Sequence, residues 1–244
     1  MILSLANIED LAEAILKDYL GALPDDANHV HPIDIEAFAS RCLGLNVAYT
    51  RLSDNGGVLG LTTYADVEVE LERYMDKQII KVAKNTILID DSLIKPFSQP
   101  DSNKGRRRFT ISHECSHQIL FRQEPDEQQQ SLLRQYAGRS YSLRELVTKD
   151  DWSEWQANAL GAALIMPPNS VKLLMEKYAR GRSLTSYENH FASNDKLILT
   201  HLCGALEVSK AAMVIRLRQL GYIVEKPYNE FSDPLEVVND EDSM

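Results

Sequence analysis

Residues 106–121 read RRRFTISHECSHQILF, and the fold is decided at their centre: His113, Glu114, Cys115, Ser116 and His117 form an H-E-x-x-H. On an α-helix, positions i and i+4 return to nearly the same face, so His113 and His117 can aim their imidazoles at one point. Two neutral imidazoles suit a zinc ion, and Glu114 is placed to take a proton from water activated at that ion. The setting is helical. Ile111, Cys115 and Ile119 recur every four residues as an apolar stripe, and neither Pro nor Gly interrupts residues 109–121. Cys115 lies midway between the histidines, on a different face, and reads as a core thiol rather than a ligand.

A chain of 244 residues is expected to form one domain or two closely packed ones. With 44% apolar and 25% charged residues, the composition is that of a globular protein. A net charge of −10 argues against coating nucleic acid or anionic membrane. Cys42, Cys115 and Cys203 are few, odd in number and far apart, as expected for a reducing, cytoplasmic setting without a disulfide framework. The first residues, MILSLANIEDLAEAIL, lack the basic start of a signal peptide. No apolar run approaches the roughly 18 residues that a membrane span requires. No internal repeat is present.

Upstream of the motif, residues 7–20 have helical spacing, with Asn7 as cap and Gly21 after the end. A shorter helix is expected over residues 33–42, and His29 and His31, in the loop before it, read as solvated. Residues 45–51, 58–63, 67–73, 79–82 and 86–89 are short β-branched or alternating segments. They predict an antiparallel or mixed sheet packed under the motif helix. Such a sheet would wall one side of a cleft, and its edge strand could pair with an extended peptide. Arg106, Arg107 and Arg108 oppose the helix dipole, so at least one should make a structural contact. Downstream, residues 127–136 read as a polar helix and 141–147 as a further helical turn.

The second informative stretch is residues 150–168, DDWSEWQANALGAALIMPP. Pro167 ends a helix that begins near Asp151. Ala157, Gly161 and Ala162 leave one side slim enough for a neighbouring helix to approach closely, and Glu154 and Asn158 sit on that side. A glutamate from a second helix can complete a His₂Glu zinc site with water in the fourth position. Glu154 is the candidate, with Asp150, Asp151 and Glu145 as alternatives. Asn158 could hydrogen-bond a ligand from outside the first coordination layer.

The two segments RRFTISHECSH and EWQANALGAALIMP together resemble the ImmA/IrrE family of zinc metallopeptidases over roughly residues 7–222. That resemblance implies a zincin-like α+β fold with a small sheet on the H-E-x-x-H helix. It implies Zn²⁺ on His113, His117 and Glu154, with Glu114 as catalytic acid and base. It further implies that the substrate is a helix-turn-helix transcriptional repressor, cut at one site to relieve a stress or mobile-element programme. Ser116 departs from the family's usual Gly, a small-for-small change. Glu154 follows His117 at a longer interval than in compact members. The metzincin pattern is excluded, because its downstream Gly and His positions hold Leu120 and Gln123.

Residues 171–180 read as an amphipathic helix and 183–195 as a polar connector. Tyr141, Tyr187 and His190 are candidates for a second donor to an oxyanion. Residues 196–222 resemble a helix-turn-helix module, with Ser209 capping the second helix and Ala212, Val214, Ile215, Leu217 and Leu220 expected to be largely buried. Over 196–226, Lys196, Lys210, Arg216, Arg218 and Lys226 outnumber Glu207 and Glu225, a weak basic patch that could touch DNA, although packing against protein is the simpler use. The expected organisation is a peptidase domain over 1–180, a helical module over 181–227 and an acidic, disordered tail over 228–244. Two other classes fit the residues: a regulator that binds DNA or a toxin-like partner around a structural zinc, and an assembly module whose site has lost its metal.

Overall fold

Helix α1 (Leu5–Leu20) opens on a capping box. Ser4 Oγ accepts from the Asn7 N–H at 3.2 Å, and Asn7 Oδ1 accepts from the Ser4 N–H at 3.3 Å. Ser4 is therefore the cap, and Asn7, expected in that role, is its partner one turn in. The helix stops at Gly21, whose φ of 79° suits a residue without Cβ. The computed structural model describes residues 2–21, 30–53, 56–73, 76–94, 103–135, 140–142 and 151–231, together with Asp233. His29, Glu145, Asp150 and the acidic residues beyond Asp233 lie outside this set. The fold is α+β, in two compact units, and the chain passes from the first to the second between Ile165 and Met166. That crossing precedes the break after residue 180 read from the sequence.

In the first unit, α2 (Ile35–Ala37) is capped by Asp34 and widens into π-helical Phe38–Cys42. Three strands follow in one sheet, ordered β1 (Asn46–Thr50), β5 (Thr86–Asp90), β2 (Gly60–Thr63). β1 runs parallel to β5, with Asn46 opposite Thr86, whereas β2 runs antiparallel, with Gly60 opposite Ile89. The central strand, TILID, is buried along its whole length. A second sheet has the order β4 (Asp76–Val82), β3 (Val67–Arg73), β6 (Ser140–Ser142). The expected strands thus divide between two sheets rather than forming one. The two sheets pack on each other, with Leu61 and Leu88 from the first and Val67, Val69, Leu71 and Val82 from the second in one buried cluster. Tyr141 and Ser142, read as the start of a helical turn, instead pair with Val69 and Glu70 of β3.

Helix α3 (Lys104–Gln123) carries the motif, followed by α4 (Asp126–Gln135) and α5 (Asp151–Ile165). α3 packs against α5 on one side and against β2 and β5 on another, and α1 packs on α5. Two of the three arginines at its start are structural. Arg108 Nη2 donates to the Ile33 carbonyl at 2.7 Å and Arg107 Nη1 to the Leu93 carbonyl at 3.0 Å.

In the second unit, α6 (Pro168–Ala179), α7 (Ser193–Leu206) and α8 (Lys210–Gln219) accompany a two-stranded parallel sheet of β7 (Leu184–Tyr187) and β8 (Ile223–Lys226). β7 lies within the stretch read as a polar connector. α7 and α8 meet at 100° through a three-residue turn, and Ser209 caps α8 as expected. Ile215, expected to be buried, is 54% exposed, whereas Arg216 is fully buried and donates from Nε to the Met166 carbonyl at 3.0 Å. Arg216 therefore adds nothing to a basic surface, and Arg218 and Lys226 are paired with Glu225 and Glu230. Residues 228–231 and Asp233 belong to the stretch expected to be disordered, yet they are ordered. Tyr228–Glu230 form a 3₁₀ turn, and Asp233 is buried. Its Oδ2 accepts from the Ser193 N–H at 2.8 Å and hydroxyl at 2.6 Å. Ala192 has no side chain to cap α7, so Asp233 serves that end from forty residues away.

Asp90 ties the strand ends of the first unit together. Its carboxylate accepts from the N–H groups of Leu52 at 2.7 Å, Ser53 at 3.3 Å and Ser92 at 3.0 Å. Burial pushes its pKa up, but these donors outweigh burial and hold it below the ordinary carboxylate value. A depressed folded pKa contributes stability above the unfolded value, and that contribution is lost as pH falls through the folded one. Asp90→Ala should cost about 2–4 kcal/mol in urea unfolding at neutral pH, from the donors left unsatisfied. The deficit should shrink on acidification. A deficit that stays constant down to the folded pKa and beyond would remove the charge from this account.

Candidate metal centre

The close approach of α3 and α5 builds the centre. Gly161 faces the α3 backbone, and a Cβ there would lie 3.1 Å from His113 N, 3.2 Å from His113 Cα and 3.3 Å from the Ser112 carbonyl carbon. Ser112 Oγ donates to the Gly161 carbonyl at 2.8 Å and pins the two helices at that level. Glu154 lies two turns earlier on α5, on the face turned toward α3. Its Oε2 is 3.3 Å from His113 Nε2 and its Oε1 is 3.3 Å from His117 Nε2. The two Nε2 atoms are 3.0 Å apart.

These spacings are those of a coordination shell. Ligands held tetrahedrally at about 2.0–2.1 Å from one ion lie about 3.3 Å from one another. His113, His117 and Glu154 form a group that could hold a metal ion, and no fourth His, Cys, Asp or Glu joins it among the described residues. Two imidazoles and one carboxylate suit a borderline divalent ion such as zinc better than magnesium or calcium, which prefer oxygen. His117 is buried and His113 nearly so, while the Glu154 side chain is 35% exposed, so the group opens to solvent on the Glu154 side.

Glu114 sits on a different line of α3. Thr110, Glu114 and Gln118 follow one another at i+4 and face β2. Gln118 Nε2 donates to Thr62 Oγ1 at 2.7 Å and to the Thr63 carbonyl at 2.9 Å. Two strand residues and four helical residues span similar lengths, about 6.8 and 6 Å, so Gly60 falls beside Glu114 as Thr62 falls beside Gln118. A Cβ on Gly60 would lie 2.7 Å from Thr110 Cγ2 and 3.0 Å from Glu114 Oε1. The Glu114 side chain is thereby buried, with 4% of the residue exposed, and its Oε2 has no hydrogen-bond partner among the described residues. The Nδ1 of His113 is in the same position. Buried polar atoms without partners are rare and gather at functional sites. Cys115 is fully buried on the core side, and burial pushes its thiol up.

His113, Glu114, Glu154 and Asn158 line one cleft of about 260 Å³ with Gly57, Val58, Leu59, Gly60, Leu61, Phe109 and Thr110. Asn158 is exposed and makes no hydrogen bond to the three donor residues or to any other described residue. Of the oxyanion candidates, Tyr141 is opposite Val69 on β6, while Tyr187 and His190 belong to the second unit, packed on Phe231 and Tyr228. The sequence reading missed Gly60, Thr110, Ser112 and Gln118. Gly60 could have been found, because glycine inside a strand marks a close backbone approach.

Among the described residues, no single helix is long and apolar enough to cross a membrane. Compared with known proteins, the chain matches no family model and no curated protein.

Glu154→Ala should weaken binding in a zinc titration by more than about 100-fold, since even outer-layer partners of metal ligands are worth 10–100-fold. Unchanged affinity would place the third ligand elsewhere. Gly161→Val should force the helices apart, costing about 1–3 kcal/mol of stability and lowering metal affinity together with it. Both effects are read from thermal unfolding with and without zinc.

Proposed function

We propose that the protein is a zinc-dependent endopeptidase. The observation that carries this reading is a group of three donor residues at coordination spacing, two of which, His113 and Glu154, line one cleft with Glu114, a buried carboxylate with an unpartnered oxygen. A purely structural zinc normally has four protein ligands and gives a neighbouring carboxylate no task, whereas three ligands with an open position are the pattern of catalytic sites.

Zinc bound there would supply Lewis acidity, polarising a peptide carbonyl and lowering the pKa of water beside it. Glu114 accepts the proton of the attacking water and returns it to the leaving amine as the C–N bond breaks. Its confinement between Gly60 and Thr110 fixes where that proton can be taken up. β2 is the edge of its sheet. The Leu59 carbonyl accepts from Asp90 N–H and the Thr63 carbonyl from Asn85 N–H, so odd positions turn their backbone groups toward β5. Gly60 therefore turns its N–H and C=O to the outer edge, at the cleft, where an extended peptide could pair.

The motif resemblance to ImmA/IrrE metallopeptidases supports a helix-turn-helix transcriptional repressor as substrate, cut once inside the cell to relieve repression. Glu114→Gln should retain zinc, because Glu114 is not among the donors, and should slow cleavage by at least about 100-fold. Mass spectrometry of a panel of helix-turn-helix repressors incubated with zinc-loaded protein reads both the cut and its site. Cleavage by the Gln variant at the wild-type rate would refute the proton role. No cleavage of any repressor or unfolded protein by the wild type would refute the peptidase.

A further inference from the structure

We infer that Asn158 is a substrate-binding residue, its carboxamide pairing with the backbone of a bound peptide on the edge opposite β2. The inference rests on the peptidase reading and adds a contact that the metal group and Glu114 do not supply.

Among the polar side chains that line the cleft, the others already have work. His113 and Glu154 face each other across the donor group, Glu114 is enclosed by Gly60 and Thr110, and the Thr110 hydroxyl donates to the Arg106 carbonyl at 3.0 Å. Asn158 alone brings a donor and an acceptor to the cleft without spending either on a described residue. It stands one turn beyond Glu154 on α5, about 6 Å along the axis and on the same face. α5 and β2 both pack on α3, and the cleft there is lined by Glu154 and Asn158 from α5 and by residues 57–61, which lead into β2. A peptide paired with Gly60 through one edge presents N–H and C=O groups along its other edge, toward α5. A carboxamide matches that edge, because it can accept from a peptide N–H and donate to a peptide C=O. Propensity gives no reason for Asn in the interior of a helix, where Ala is favoured. The remaining walls, with Val58, Leu59 and Phe109, are apolar and suit an aliphatic side chain on the peptide.

The test compares two probes on the zinc-loaded full chain by calorimetry. Acetohydroxamate reaches only the metal. A hydroxamate joined to a Leu-Ala dipeptide amide reaches the metal and also lays a short backbone in the cleft. The wild type should bind the peptidyl probe more tightly. Asn158→Ala should reduce that advantage by about tenfold or more, the worth of one to two hydrogen bonds, and leave acetohydroxamate affinity and zinc content unchanged. Asn158→Asp keeps the shape and loses the donor, and should weaken the peptidyl probe at least as much. Either a full peptidyl advantage in Asn158→Ala or no advantage in the wild type would overturn the inference while leaving the metal centre intact. A wild type that binds neither zinc nor acetohydroxamate would overturn the peptidase reading, and this inference with it.

Discussion

The contact on which the first unit depends is backbone against backbone: α5 at Gly161 against α3 at Ser112 and His113. With a Cβ position only 3.1 Å from His113 N, there is no room for a side chain between the helices. The Ser112 hydroxyl fills the remaining polar need by donating to the Gly161 carbonyl. Two turns along α5, this proximity lets a short carboxylate reach both imidazoles at 3.3 Å. A glutamate on a helix at the more usual separation of about 8–10 Å, with side chains interleaved, would meet the imidazoles less directly. The small residues of α5 thus act on the donor group through distance, without touching it.

α3 is consequently a helix with three assigned faces. Ile111, Cys115 and Ile119 enter the core, His113 and His117 meet Glu154, and Thr110, Glu114 and Gln118 meet β2. Being surrounded, it buries Thr110, Ser112, Glu114, Ser116 and Gln118 as well as its apolar stripe. Such a helix cannot show a clean amphipathic pattern, since most of its polar positions are interior by function or by hydrogen bonding.

What could be read in the sequence follows from how local the information is. The i, i+4 geometry of His113 and His117 is fixed by the helix itself, so the pair was legible without any tertiary knowledge. Glu154 was legible because small residues advertise close packing and because the motif resemblance names a partner segment. The strands were legible from alternation, but their partition was not, because pairing Asn46 with Thr86 or Val69 with Tyr141 depends on packing between distant segments. β7 was hidden in a polar stretch whose partner, β8, lies beyond two helices. Arg216 was misread as surface charge. Basic residues are rarely interior, and a partner such as the Met166 carbonyl, fifty positions away, makes its burial tolerable. Asp233 likewise caps a helix whose own N-terminal residue, Ala192, cannot.

The same accounting explains why Glu114 stands out. Several other buried polar groups of the first unit are well matched: Asp90 collects three N–H donors, Gln118 two acceptors, and Arg108 Nη2 a carbonyl. A buried acceptor left without a donor costs about 1–3 kcal/mol, and more when charged. The fold nonetheless closes Gly60 over Glu114, at the one strand position where any side chain would displace it. A neutral glutamine at 114 could satisfy the same enclosure at lower cost, so stability gives no reason for a carboxylate there. The proposed proton transfer does: an acceptor without competing donors, held at a fixed place beside the donor group, keeps its lone pairs for the water that is to be activated.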